Sequence, residues 1–149
     1  LSRGGADDLD SVIAIMNAAF DAHYGEAWTR SQCAGILPMT GAELVLARVD
    51  GGATAGFSLH RTIAGESELL LIAVAPPHRR PGVGQLLLDD FIGHARSCGA
   101  KRVHLEVRDG NPAVAMYRAA GFSTAGRRGK YYRGKNGDEF DALTLSKRI

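Results

Sequence analysis

The chain has 149 residues, 45% hydrophobic and 23% charged, with 19 Gly, 5 Pro and 2 Cys, which describes one globular domain that buries roughly 70% of its unfolded surface without disulfides or a structural metal. No apolar run approaches the ~20 residues that span a bilayer, and the balance of apolar and charged residues excludes intrinsic disorder. Eighteen Lys and Arg against sixteen Asp and Glu leave a formal charge of +2, too small to name a nucleic-acid partner, so any basic effect is local.

In chain order, Leu9, Val12, Ile13, Met16 and Phe20 recur at helical spacing behind Asp7, Asp8 and Asp10, whose charge suits a helix N-terminus. Thr29 and Gln32 form a capping box that opens a short helix, and Pro38 ends it near Leu37. The period then changes. Leu44 to Val49 and Ala55 to Thr62 read as strands flanking Asp50-Gly51-Gly52, a turn suited to an antiparallel hairpin. Leu69 to Ala75 is a nearly unbroken apolar run, which predicts a central strand buried on both faces.

Pro76 and Pro77 end that strand, and Arg79-Arg80-Pro81-Gly82-Val83-Gly84 leads into a helix with the stripe Val83, Leu87, Leu88, Phe91, Ile92, Ala95. Gly99 stands where a left-handed cap is expected. Val103, Leu105 and Val107 alternate with His104, Glu106 and Arg108, so Glu106 lies on the more polar face. Asn111 reads as an N-cap with Pro112 at the first helical position, and Gly121 closes a short helix containing Tyr117. Strands at Phe122 to Tyr132 and Phe140 to Leu145 follow, joined through Asn136-Gly137. The order ααβββαβαββ is that of a mixed α/β domain over 1–149. Cys33 and Cys98 show neither CxxC nor Cys/His spacing, as suits free thiols in a reducing compartment. LSRGGADDLD has no apolar signal-peptide core and no initiator Met, so the reading is a trimmed start and a cytoplasmic location.

The most informative segment is LLLIAVAPPHRRPGVGQLLL, where a strand runs through a glycine-containing loop into a helix N-terminus. That is an anion-binding architecture: glycines let main-chain N–H groups approach a ligand, and the helix end favours phosphate. The Gly-Lys-Ser/Thr ending of a P-loop and the GxGxxG pattern are both absent. Two glycines in an ordinary turn remain the alternative. No His/Cys/Asp/Glu spacing suggests a catalytic metal. Arg127, Arg128, Lys130, Tyr131 and Tyr132 mix charge with aromatic rings, a composition also seen in RNA-binding surfaces, but no direct nucleic-acid partner is assigned.

Arg79-x-x-Gly82-x-Gly84 resembles the acyl-CoA pyrophosphate loop of the GCN5-related N-acetyltransferase (GNAT) family. The element order matches over nearly the whole chain, and Asn111 followed by Ala115-Met116-Tyr117-Arg118-Ala119-Ala120-Gly121-Phe122 resembles the family's pattern there. Within the family, Trp28, Leu105-Glu106-Val107-Arg108 and Arg127 to Tyr132 look most like the branch that acetylates the N-terminal α-amine of a ribosomal protein. Leu71 departs from it, standing where that branch carries Asn.

The resemblance implies a single-domain fold with a mixed, mostly antiparallel central sheet flanked by helices and splayed at the acyl-CoA site. It implies acetyl-CoA as cosubstrate, no metal, and a protein N-terminus as acceptor. Arg79, Arg80, Gly82, Val83, Gly84 and Gln85 would hold the pyrophosphate, with Asn111 also on the cofactor side. Ile72 and Val74 would pair their backbone with the pantetheine arm, and a β-bulge near Val74 would free its N–H for the acetyl oxygen. Glu106 would accept the amine's proton, Tyr117 would protonate the leaving thiolate, and Tyr131 and Tyr132 would line the peptide groove. His104 is an alternative base, and His78 a polar neighbour of the loop. A small-amine or lysine acceptor, or a noncatalytic acyl-CoA-binding module, are the competing functions.

Overall fold

The computed structural model describes residues 1–49, 52–79 and 82–149. Asp50-Gly51 of the hairpin turn, and Arg80 and Pro81 of the glycine loop, lie outside the described residues. Among the described residues, seven strands form one sheet: β1 (Ser2–Arg3), β2 (Ala42–Arg48), β3 (Thr54–Ile63), β4 (Glu66–Val74), β5 (Arg102–Arg108), β6 (Ser123–Arg133) and β7 (Glu139–Arg148). Their spatial order is β1-β2-β3-β4-β5-β7-β6, and every pairing is antiparallel except β4 with β5. The helices are α1 (Leu9–Ala19), α2 (Arg30–Ile36), α3 (Val83–Ser97) and α4 (Val114–Ala119). Among the described residues no helix is long and apolar enough to cross a membrane.

Local chemistry accounts for most boundaries. Thr29 accepts from the Gln32 amide while the Gln32 side chain accepts from the Thr29 amide, closing the capping box of α2. α3 buries Leu87, Leu88, Phe91, Ile92 and Ala95, each side chain worth roughly 1.5–3 kcal/mol when large and fully removed from water. It ends at Gly99, whose φ of 79° lets the Ala100 amide turn back to the Ala95 carbonyl at 2.9 Å. The core lies on both sides of the sheet: α1 covers Leu44, Leu46, Phe57, Leu59, Leu71 and Ala73, and α3 with α4 covers Leu69, Val103, Leu105, Val107 and Leu145.

Four details depart from the sequence reading. A two-residue strand, β1, pairs with β2 ahead of the first helix. The second detail concerns α4, whose regular turns begin at Val114. Asn111 instead caps the preceding turn, its Oδ1 accepting from the Ala113 amide at 2.8 Å.

The third concerns β4, which is not buried on both faces. Leu69, Leu71 and Ala73 are buried, whereas Leu70, Ile72 and Val74 are half-buried. The apolar run is there because part of it lines a cleft. The fourth is the bulge, which lies at Leu70 rather than near Val74. Leu59 pairs with Leu71 and its neighbour His60 with Leu69, so Leu70 is the extra residue. An inserted residue reverses the alternation of faces, which sends Leu71 towards α1 and Leu69 towards α3.

Candidate active site

The cleft starts where β4 and β5 separate. Their parallel pairing runs only from Glu66 with Arg102 to Leu69 with Leu105. Beyond it, β4 continues past the Leu70 bulge to Val74, and β5 through Glu106 to Arg108. The Ala75 amide donates to the Ala55 carbonyl at 2.8 Å, which fixes the antiparallel phase: Ala73 and Leu71 exchange hydrogen bonds with β3, and Ile72 and Val74 do not. The main-chain groups of Ile72 and Val74 therefore point into the gap left by β5.

Around this fork is a cavity of about 900 Å³, lined by Ile72, Val74, Glu106, Asn111, Tyr117 and Gly84, and also by Arg79, Tyr131 and Tyr132. Gly82 is the N-cap of α3 with a φ of 81°, a conformation glycine adopts without strain. A Cβ built at Gly84 would stand 3.4 Å from Met116 Sδ and 3.7 Å from Val74 Cγ2. The start of α3 thus meets the end of β4 and α4, with the first-turn amides of Val83, Gly84 and Gln85 unused by the helix. The Gln85 side chain is engaged within α3, donating to Asp89 at 2.8 Å. Arg79 also has partners, donating to the carbonyls of Val74 (3.4 Å) and Ala19 (2.8 Å). It ties the fork's outer end to the end of α1.

Glu106 follows Leu105, at the base of the fork. Its Oε1 lies 3.1 Å from Arg128 Nε, and its Oε2 is buried without a hydrogen-bond partner. Burial raises its carboxyl above the ordinary range, Arg128 works against this, Glu68 adds to the rise and His104 opposes it. Tyr117 is buried, its ring edge-on to Phe122 at 6.0 Å. Burial first, and then the Glu26 carboxylate, push its phenol well above the usual tyrosine range. Tyr132 is raised chiefly by burial and, after it, by Glu26.

Tyr131 and Tyr132 reach the cavity because β6 bulges. Pairing with β7 passes from Arg128 with Ala142 to Tyr132 with Phe140, leaving residues 129–131 opposite Asp141 alone. Lys130 takes a φ of 54° there, and Asp141 holds the bulge by accepting from the Lys130 amide (3.0 Å) and Arg127 (2.9 Å).

One cluster was missed in the sequence. Glu26 accepts from Arg108 Nε at 3.1 Å and from Asn111 Nδ2 at 2.6 Å, and the Arg108 guanidinium lies 3.6 Å from the centre of the Tyr24 ring. Its members are 82 and 85 residues apart, beyond any local pattern. The one signal available was Arg108 itself, a charge at the end of a strand whose other face is apolar. The cluster docks the loop between α1 and α2 onto the end of β5 and sets the orientation of Asn111. Among the described residues, no group of three or more His, Cys, Asp or Glu is placed to hold a metal ion.

The sequence profile of the acetyltransferase (GNAT) family matches residues 9–122. The chain belongs to that family. It is similar to the [ribosomal protein bS18]-alanine N-acetyltransferase of Escherichia coli, 35% identical over 96 residues that cover 64% of each chain. It is also similar to the N-alpha-acetyltransferase RimI of Mycobacterium tuberculosis, 38% identical over 95 residues covering 60% of this chain and 58% of that one. The matched stretch thus spans somewhat less than two thirds of these relatives' own length. In three dimensions, the crystal structure of the ribosomal-protein-S18-alanine N-acetyltransferase from Escherichia coli superposes with a TM-score of 0.86 at 28% identity, covering 99% of this chain and 92% of that one. The GNAT fold read from the sequence, with its splayed mixed sheet, is the fold observed.

Proposed function

We propose that the protein transfers an acetyl group from acetyl-CoA directly to the N-terminal α-amine of a protein, with a ribosomal protein as the acceptor that its named relatives point to. The observation that carries this reading is the fork: main-chain amides at Ile72 and Val74 that do not hydrogen-bond to β3, a half-buried carboxylate at its base and a buried phenol share one cavity. A strand with free amides can pair with the linear amide-bearing arm of CoA as with another strand. The first-turn amides of α3 and the loop from Arg79 would receive the pyrophosphate, and Asn111, held by Glu26, borders the cofactor side.

In the reaction, an α-amine with an ordinary pKa of about 7.7–8.0 arrives largely protonated at neutral pH, and Glu106 accepts its proton. A carboxyl raised by burial is the stronger base for this task. The nitrogen attacks the thioester carbon. Because the bulge lies at Leu70, Ile72 is the first amide beyond it that faces the fork, so it takes the oxygen-stabilising role that the sequence reading gave to Val74, and Val74 serves the arm. Collapse expels the CoA thiolate, which takes a proton from Tyr117; a phenol that burial keeps neutral retains that proton until it is needed. Tyr131 and Tyr132 flank the acceptor's entry.

Mass spectrometry of products from a peptide library with free N-termini and lysines tests the reading. Acetylation confined to free α-amines is expected. Equal labelling of lysines in peptides already acetylated at the N-terminus would move the protein to lysine acetylation, and tight CoA binding without turnover would make it a binding module.

A further inference from the structure

We propose that His104 and Glu68 form the exit route for the proton that Glu106 takes from the acceptor, an inference that rests on the acetyltransferase reading above. The need for an exit follows from stoichiometry. An ammonium acceptor loses two protons when its nitrogen becomes an amide. One ends on the CoA sulfur, through Tyr117, which must be reprotonated; the other leaves the protein in every turnover. The bond made is N–C, the bond broken is C–S, and nothing is oxidised or reduced.

Glu106 is badly placed to release that proton unaided. Its side chain is 16% exposed, its Oε1 faces the Arg128 guanidinium, which cannot accept a proton, and its Oε2 is buried and partnerless. Acyl-CoA above it and an acceptor peptide before it would close the remaining approaches. The sheet offers a way out in the opposite direction. His104 is two residues back along β5 and so on the same face, roughly 6.5–7 Å away along a strand. Glu68 stands opposite His104 in the parallel register, with His104 Nε2 to Glu68 Oε2 at 3.8 Å. Side-chain exposure rises from 16% at Glu106 to 30% at His104 and 40% at Glu68.

The neighbouring strand keeps the path polar, because Glu106 pairs with Thr144 and His104 with Ser146 across β5 and β7. Glu68 also borders the cavity, at the paired end of β4 and β5 rather than at the splayed end where Ile72 and Val74 lie. Around Glu106 the charged and titratable groups are Arg128 and Tyr132 from β6, Glu68 from β4 and His104 from its own strand. Of these, an imidazole can take a proton at one ring nitrogen while giving one up at the other, and a carboxylate beside it passes the proton to water. The Glu106 to His104 step is of a length that one bridging water would span.

The test is steady-state kinetics of the full chain with acetyl-CoA and an α-amine peptide, for wild type, His104→Gln and Glu68→Gln, each with increasing imidazole. The route predicts kcat lowered at least about tenfold in His104→Gln, less than the ~10²–10⁴-fold of losing a direct acid or base. It also predicts an unchanged peptide KM and recovery that rises with imidazole concentration. Glu68→Gln, at an exposed position where folding is not at stake, should show a smaller loss and a sharper dependence on buffer concentration. Folded variants with wild-type kcat and no buffer dependence overturn the route, as does a loss that imidazole leaves untouched. An inactive wild type overturns the acetyltransferase reading and the route with it, whereas an active wild type matched by both variants overturns the route alone.

Discussion

Arg128 reaches across β7 to Glu106, joining strands that are not neighbours in the sheet, with Nε 3.1 Å from Oε1. The pair is unequal: the arginine side chain is 61% exposed and the carboxylate 16%, so the cation is free to swing away while the anion stays. On the proposed function, an incoming ammonium would approach the same Oε1 that Arg128 faces. Arg128 lowers the carboxyl that burial raises, and on that function it would give up its place to the acceptor.

Removing that cation has a signed consequence. Burial and Glu68 raise the Glu106 carboxyl while Arg128 lowers it, so Arg128→Ala should raise it further. The acidic limb of kcat/KM then moves to higher pH, and Arg128→Lys should largely restore it. Glu106→Gln should lower kcat/KM about 10²–10⁴-fold near neutral pH. Part of that loss should return as pH passes the amine's pKa of about 7.7–8.0. A pH profile of each variant checks both statements, and a folded Glu106→Gln enzyme at wild-type rate would remove Glu106 as the base.

Tyr117→Phe should show a defect that alkali does not repair, because the missing group is a proton donor. An unshifted phenol would place the loss of wild-type activity near pH 10. Burial and Glu26 raise this phenol, so the decline should begin above pH 10. Measuring kcat to pH 10.5 distinguishes the two, and recovery of the variant at high pH would refute the acid role.

Gly84→Val should weaken acetyl-CoA binding by about tenfold or more, a cost of ~1.4 kcal/mol or above. The first added carbon makes only ordinary contacts with Met116 and Val74, so the fold should survive. The two methyls beyond it occupy space at the helix N-terminus. Titration calorimetry reads the affinity, and an unchanged value in a folded variant would take this helix end out of the cofactor site.

His60 is fully buried between β3 and α3, its ring 5.1 Å from Phe91 and 5.3 Å from His94, and neither ring nitrogen has a partner. Burial above all, and His94 next, push it down from 6.5 to about 4. The unfolded chain therefore binds a proton between these values that the folded chain refuses. Stability is complete above pH 6.5 and falls towards pH 4 by about 3 kcal/mol from this residue. His60→Leu should flatten that decline in urea titrations at pH 7 and pH 4.5; an equal decline in both proteins would assign it elsewhere.

Local rules were enough for the capping box at Thr29 and Gln32, the turn at Gly99 and the alternation of β5, because each depends on residues within a few positions of one another. The position of the bulge in β4 was not legible in this way. Leu70 lies within a run of three leucines, any of which satisfies an apolar pattern, and only pairing with Leu59 and His60 decides which is extra. For the same reason the apolar run was misread as doubly buried: a side chain facing a cofactor-sized cleft and one facing a core have the same composition. Glu106 and Tyr117 were singled out as candidate base and acid, and both line the cavity, but their surroundings, Arg128 across one strand and Glu26 from a distant loop, come from tertiary contacts that no spacing encodes.

The fork leaves a sheet edge in the middle of a protein, at a point where other sheets are continuous. Such an edge is a hazard, since unpaired strand groups recruit other chains. A ligand that fills the gap completes the sheet, and at a hundred times its dissociation constant it adds about 2.7 kcal/mol of folding stability. On the proposed function the thioester donor would be that ligand, and so a structural component supplied and removed once per turnover. Protease resistance and abundance in a cell should follow the donor's supply, so that starving for it removes enzyme as well as substrate.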